Sequence, residues 1–335
     1  MRQTTLLPKF KQIAAALAFS TLGLLSLTGT AQAQASDYPN RPIKWVVPYP
    51  PGGTTDVLAR IVAQYLTEKL NQQVVVENKP GGNATIAASY VARMQPDGYT
   101  LFLTTNTSHS AAPWLMKNVS YDPVKDFTPI ARGGNLPFIL VINPKLPVKS
   151  VEELIAYAKA NPNTLFFGSS GNGGADHLAG ELFKMLTGAQ ITHVPYKGGA
   201  PALADLVAGR TQLQFMTIPA SIGHIQSGRI RPLAILDKQR YPLFPNVPTI
   251  SEAGVKNYDV NNWYGVVVAA GTPPAIVDKL NVALIKALRS EEVQARFSGL
   301  GLVPVSNSPK EFQQFIATES ARWAEIIRVS GASLK

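Results

Sequence analysis

Ile43-Lys44-Trp45-Val46-Val47-Pro48-Tyr49-Pro50-Pro51-Gly52-Gly53-Thr54-Thr55-Asp56 is the stretch that decides how this chain folds. The apolar run Ile43–Val47 reads as a buried strand. The prolines after it cannot donate to a sheet ladder, so the strand must stop. Thr54, Thr55 and Asp56 offer an N-cap to the helical pattern that begins at Val57, with Asp56 assigned to capping. The unit is therefore strand, glycine-rich loop, helix.

The same unit recurs downstream. A strand over Gln73–Glu77 runs into Lys79-Pro80-Gly81-Gly82-Asn83 and a helix from Ala84 to Met94. A strand over Leu101–Thr105 ends in the polar run Asn106-Thr107-Ser108-His109-Ser110. Further strands are expected at Phe138–Ile142, Leu165–Phe167, Ile191–Val194, Leu213–Thr217 and Arg231–Leu236. Ser150 with Glu153 makes a capping box for a helix over Val151–Ala160. The loops Ser169–Gly174 and Tyr196–Gly199 each lead into a helix. Alternating strands and helices predict an α/β protein with mostly parallel sheets. Near the end, Trp263–Ala270 reads as a strand, with helices over Pro273–Leu288, Glu291–Phe297 and Pro309–Val329; Pro309 near N1 and a stripe of Phe312, Phe315, Ile316, Trp323 and Ile326 mark the last as amphipathic.

Two such halves put a ligand cleft between two lobes. The chain is expected to cross near residue 137 and to return near residue 258. This gives a discontinuous first lobe, residues 36–137 plus 258–335, and a second lobe of residues 138–257.

The N-terminus reads as a leader. Arg2, Lys9 and Lys11 precede an apolar run over Ile13–Leu27, and Ala31-Gln32-Ala33 supplies a small-x-small cleavage pattern. A signal peptide over residues 1–35, cut near Ala33 or Ala35, implies export to the periplasm. The chain has 335 residues, no cysteine and a formal charge of +10. Without cysteine there are no disulfides, thiolate metal sites or cysteine nucleophiles. The basic residues are scattered, which argues against nucleic acid; a positive field suits anionic solutes.

No phosphate loop, dinucleotide fingerprint or nucleophile elbow occurs. The four histidines, His109, His177, His193 and His224, lack metal-ligand spacing. No cofactor, metal or catalytic residue is expected. What the loops Pro48–Thr55, Pro80–Asn83, Ser169–Gly174 and Tyr196–Gly199 offer is anion binding: helix N-termini present unpaired N–H groups, and glycine lets a ligand approach the backbone closely. Ser169 and Ser170 can donate hydroxyls, and Lys197 can supply a counter-charge. His177 is expected to cap or pack. Tyr49, Trp114 and Trp263 are candidate aromatic cleft walls, with core positions as the alternative.

Several of these runs carry a resemblance. Trp45–Asp56, Glu77–Gly82, Tyr121–Ile130, His193–Gly199, Phe244–Gly254, Trp263-Tyr264-Gly265 and Ala270–Pro273 are similar, in order, to the motifs of the substrate-binding proteins of tripartite tricarboxylate transporters, the Bug family. The resemblance spans about residues 37–331. It implies a two-lobed periplasmic-binding-protein fold (a type II-like Venus flytrap) closing on a small organic carboxylate, and a monomer that docks transiently to membrane transporter subunits. It nominates Tyr49, Gly53, Thr54, Asn106, His109, Ser169, Ser170, Gly173, Tyr196 and Lys197 as ligand-binding.

One departure from the family pattern stands out. Gln212 and Met216 occupy positions where family members carry acidic residues. A less acidic, more apolar cleft wall would suit an aromatic acid or a second anionic group. Two alternatives to a transport receptor stay open: a ligand sensor for signalling, and an exported hydrolase or lyase using His109 or His177 as base.

Overall fold

A computed structural model describes residues 37–116, 118–258, 260, 262–300 and 302–330. The expected leader, residues 1–35, lies outside them. Among the described residues no helix is long and apolar enough to cross a membrane.

The first sheet has six strands: β1 Ile43–Val47, β2 Val74–Asn78, β3 Thr100–Thr105, β4 Phe127–Asn135, β10 Trp263–Ala269 and β11 Val303–Pro304, in the order β11-β4-β10-β3-β1-β2. The second has five: β5 Phe138–Ile142, β6 Leu165–Ser169, β7 Ile191–Pro195, β8 Leu213–Thr217 and β9 Arg231–Ile235, in the order β7-β6-β8-β5-β9.

Both sheets are mixed, which corrects the expectation of mostly parallel sheets. β1 is parallel to β2 and β3, and β6 to β7 and β8. β10 is antiparallel to β3 and β4, and β5 to β8 and β9. The reason is where the odd strand comes from. β5 enters the second sheet from the first, and β10 re-enters the first sheet from the second. Each therefore starts where its neighbours end: Phe138 pairs with Thr217, and Tyr264 with Thr105. Each incoming strand sits between the third and fourth native strands, so the two sheets share one topology.

The helices are α1 Thr54–Leu70, α2 Thr85–Ala92, α3 Ala112–Leu115, α4 Val151–Ala160, α5 Ala175–Thr187, α6 Gly199–Ala208, α7 Ile218–Gln226, α8 Pro274–Arg289, α9 Glu291–Gly299 and α10 Pro309–Ser330. They cover both faces of each sheet. On one face of the first sheet, Trp45, Val47, Leu101 and Leu103 meet Leu58 and Val62 of α1 and Leu280 and Leu284 of α8. On the other, Phe102 and Trp263 meet Ala88 of α2 and Phe312 and Ile316 of α10. The second sheet buries Phe167 and Phe215 against Leu154 of α4 and Phe183 of α5, and Ile139 and Val141 against Leu206 of α6 and Ile218 of α7. Trp323 and Ile327 join the core of the second sheet, so α10 packs on both.

β4 was invisible in the sequence. Phe127-Thr128-Pro129-Ile130-Ala131-Arg132-Gly133-Gly134-Asn135 contains a proline and two glycines, which normally argue against a strand. It pairs with β10 through two irregularities, which skip Gly133 and Ile130 beside Gly134 and Pro129. Gly133 is small because a Cβ there would lie 2.2 Å from the Tyr264 ring. The polar run after β3 is not a loop either: Thr107–Ala111 forms a single π-helical turn leading into α3.

Candidate functional site

Three helices away from the interface between the sheets have serine caps. The Ser150 hydroxyl accepts the Glu153 N–H at the start of α4, and Ser290 that of Val293 in α9. Ser308 and Glu311 form a reciprocal box at α10. The box expected at α4 is only half formed, since Glu153 accepts the Lys149 N–H rather than that of Ser150. By contrast α1, α5 and α6 have glycine N-caps, Gly53, Gly174 and Gly198, with no side-chain cap. At α1 and α6 the first-turn N–H groups have no side-chain cap, and the helix dipole favours an anion there; at α5 the Asp176 carboxylate accepts the His177 N–H at 3.0 Å.

These ends lie together. The Thr54 and Thr217 hydroxyl oxygens are 3.2 Å apart, joining the start of α1 to the end of β8. The Asn83 carboxamide donates to the Asn172 carbonyl. A Cβ on Gly198 would lie 3.8 Å from Pro50 Cγ, and one on Gly171 would lie 3.4 Å from Asn83 Oδ1. All four glycine-rich loops thus converge on one cleft, closed in this structure.

Each half of the cleft is organised by a buried aspartate in the first turn of its helix. Asp56 accepts the Gly52 N–H at 2.9 Å, the Asn78 carboxamide at 2.9 Å and Arg60 Nε at 3.0 Å. Asn78 also donates to the Tyr49 carbonyl, so both ends of the first loop are tied to one carboxylate. Asp56 bonds the loop rather than capping its own helix, which corrects the sequence reading. Burial opposes its charge, but the Arg60, Gly52 and Asn78 hydrogen bonds outweigh it and hold its pKa below the usual range. In the other half, Asp176 accepts the Ser170 N–H at 2.5 Å and the Ser170 hydroxyl at 2.8 Å. Among the described residues no cation pairs with it, and burial pushes its carboxyl up to about 6 against the hydrogen bonds that favour the anion.

The nominated residues divide accordingly. Gly53 caps α1 and Thr54 faces Thr217. The Tyr49 hydroxyl lies 3.3 Å from Thr105 Oγ1, and burial raises its pKa. Lys197 is exposed at the start of the α6 loop. Tyr196 donates its hydroxyl to Asp205 at 2.8 Å. The donors of Ser169, Ser170 and Gly173 all have partners inside their own lobe: Ser169 Oγ contacts His193 Nε2 at 2.5 Å, and the Gly173 N–H donates to His177 Nδ1 at 2.9 Å. Asn106 is fully buried, and neither atom of its carboxamide has a partner among the described residues. His109 is fully buried against Phe127, with ring centroids 4.6 Å apart, and its Nδ1 lies 2.6 Å from Thr104 Oγ1. Burial pushes its pKa down to about 3.

Gln212 and Met216 do not line the cleft. The Gln212 side chain accepts the Phe166 N–H at 2.9 Å and so extends the sheet between β6 and β8, while Met216 lies in the core with Ile139 and Ile218. The inference of an apolar cleft wall, and of an aromatic ligand drawn from it, is therefore withdrawn. Trp263 is core, and Trp114 is 54% exposed on the outer surface beside Ser320. Sequence reading missed Asn83, Asn172 and Thr217, whose roles come from contact across the cleft. Among the described residues no group of His, Cys, Asp and Glu could hold a metal ion.

A family profile described as the tripartite tricarboxylate transporter family receptor matches residues 58–332. Protein BugT of Bordetella pertussis is 40% identical over 306 residues, covering 91% of this chain and 94% of that protein. Among solved structures, R. palustris Rpa4515 with adipate is 41% identical, with a TM-score of 0.85 over 88% of this chain and 99% of that one. The periplasmic binding protein BugD is 34% identical, with a TM-score of 0.84 over 89% and 100%. MatC from Rhodopseudomonas palustris with bound malate is 32% identical, with a TM-score of 0.82 over 87% and 100%.

Proposed function

This chain belongs to the tripartite tricarboxylate transporter receptor family, and we propose that it captures a small dicarboxylate in its cleft and delivers it to membrane transporter subunits. In this reading it is exported to the periplasm with its leader cut near Ala33 or Ala35, and it acts as a monomer. The lobes are residues 36–137 plus 258–335 and residues 138–257, with α10 bracing both.

The observation that carries the proposal is the convergence of two glycine-capped helix N-termini, at Gly53 and Gly198, on one closed cleft from opposite sides. Such ends bind carboxylates without a catalyst. Ends on both sides of the cleft suit a ligand with a carboxylate at each end, as in the adipate and malate described for the two similar structures. Gly53, Thr54 and Tyr49 would hold one carboxylate and the α6 loop with Lys197 the other. Asn106 brings a buried carboxamide with open valences, and Ser169, Ser170, Gly173, Tyr196 and His109 shape the cleft from behind.

The enzyme alternative has little to work with. His109 has its Nδ1 tied to Thr104 inside an aromatic cage, and His177 Nδ1 accepts a backbone N–H. A general base needs a lone pair within reach of substrate.

The test is a thermal-shift and calorimetric screen of the mature protein with C4 to C6 dicarboxylates and monocarboxylate controls. A ligand at a hundred times its Kd stabilises by about 2.7 kcal/mol. Dicarboxylates are expected to raise Tm and monocarboxylates to do so weakly; no response to any dicarboxylate would sink the proposal.

A further inference from the structure

Beneath the loop Ser169–Gly174 lie two histidines that the binding reading does not use. The His177 and His193 rings stack with centroids 3.9 Å apart and planes at 23°, and Phe167 extends the stack at 5.0 Å from His193. His177 comes from the first turn of α5 and His193 from the middle of β7, so the stack exists only in the folded lobe. Each ring grips a different part of the loop. His177 Nδ1 accepts the Gly173 N–H at 2.9 Å. His193 Nε2 lies 2.5 Å from Ser169 Oγ, which also accepts the Gly171 N–H and contacts the Gly171 carbonyl, both at 3.1 Å.

We infer that His177 and His193 are positioning residues, which as neutral imidazoles hold the loop Ser169–Gly174 in the conformation it presents to the cleft. Gly171 and Gly173 both have positive φ, 137° and 78°, so the backbone has wide freedom here, limited by the Gly174 N–H to Gly171 carbonyl bond at 3.1 Å. Satisfying the Gly171 and Gly173 N–H groups from below fixes it. An acceptor at Nδ1 carries no proton, so the His177 proton must sit on Nε2, facing Glu181 Oε1 at 3.8 Å. A second proton on His177 would eject the Gly173 N–H, and a charge on either ring would face the other at stacking distance.

The surroundings support the neutral state. Burial lowers both pKa values, that of His193 to about 3, with His177 and Lys184 as further causes for His193. The charged and titratable groups around the pair are Glu181, Lys184 and Asp176. Of these Glu181 alone favours protonation of His177, and it is paired with Lys184 at 2.9 Å. The two imidazoles thus hold their part of the loop without charge, while the Asp176 carboxylate holds Ser170.

This inference rests on the proposed cleft, but its test does not need the ligand identified. In the ligand-free protein, nitrogen NMR of the imidazoles should show His177 as the Nε2–H tautomer at pH 7, and hydrogen exchange should show the Gly171 and Gly173 amides protected. A charged His177 or an Nδ1–H tautomer at pH 7 would overturn it, whatever the protein binds. His177→Phe keeps the stack but removes the acceptor, and should lose Gly173 protection and weaken adipate binding by about tenfold, the scale of one hydrogen bond. His177→Asn, whose carboxamide oxygen can take the place of Nδ1, should recover most of both. Full protection and adipate affinity within twofold in His177→Phe would overturn the inference. If the parent protein binds no dicarboxylate, the cargo proposal fails, and the tautomer and exchange data still decide this one.

Discussion

Thr54 and Thr217 are 163 positions apart in sequence, yet their hydroxyl oxygens lie 3.2 Å from one another, joining the first turn of α1 to the last residue of β8 across the cleft. With the Asn83 to Asn172 bond, this contact joins the two sides of the cleft. Removing it should speed ligand release more than it slows capture. Thr217→Val and Asn83→Ala are each expected to raise koff roughly three- to tenfold, the range of one hydrogen bond. Stopped-flow release of a bound dicarboxylate measures this; unchanged koff in both variants would show that the contacts do not hold the cleft shut.

The two loop aspartates should respond to pH in opposite senses. The folded pKa of Asp176, about 6, lies above its reference value of 3.8. Between those values the folded protein holds a proton that the unfolded chain has released, so stability falls as pH rises through the window. Asp176→Asn removes that titration. From pH 4 to pH 6.5 the variant should gain on the parent by up to about 3 kcal/mol in urea unfolding. Parallel pH profiles for the two proteins would contradict the assignment.

Asp56 has a depressed pKa, so its contribution is present above the unfolded value and is lost as pH falls. Asp56→Ala should destabilise at pH 7 by about 2 kcal/mol, since Gly52, Asn78 and Arg60 all lose an acceptor. The deficit should shrink below pH 4. A constant deficit from pH 3 to pH 7 would count against the charge as its source.

Gly180 and Gly265, like Gly133, are kept small by rings rather than by backbone shape. A Cβ at Gly180 would lie 2.3 Å from Phe167, and one at Gly265 would lie 2.3 Å from Phe312. Gly180→Ala and Gly265→Ala should each cost about 1–3 kcal/mol of stability. The first also disturbs the ring stacked over His193, so it should alter the His193 NMR signal, whereas the second should not.

The double role of α10 is testable through Trp323, which is fully buried in the core of the second sheet while Phe312 of the same helix is buried against the first. Trp323→Ala should cost about 3–5 kcal/mol. If α10 served the first lobe alone, the loss would be small and the amides of α5 would exchange as in the parent.

Much of the architecture was legible because its signals are local. Strands at Ile43–Val47, Phe138–Ile142 and Leu213–Thr217 fall where the apolar runs place them. Glycine loops between strands and helices can be read residue by residue, and so can the family motifs. β4 could not be read, because its proline and glycines make sense only beside Tyr264 and the irregular pairing with β10. The misreading of Gln212 and Met216 has the same origin. Their sequence positions suggested a cleft wall, while their side chains are directed by β8 into a sheet edge and a core.

The sequence by itself determined the repeated strand–loop–helix unit and the glycines in its loops. Those depend on backbone preferences and side-chain size, which act over a few residues. Only the tertiary structure decided which donors stay open. Ser170 and Gly173 bond to Asp176 and His177 a few positions ahead, and Ser169 contacts His193 twenty-four positions away. A hydrogen-bonding group has a finite set of valences, and whether a neighbour fills them depends on which residues folding brings within about 3 Å.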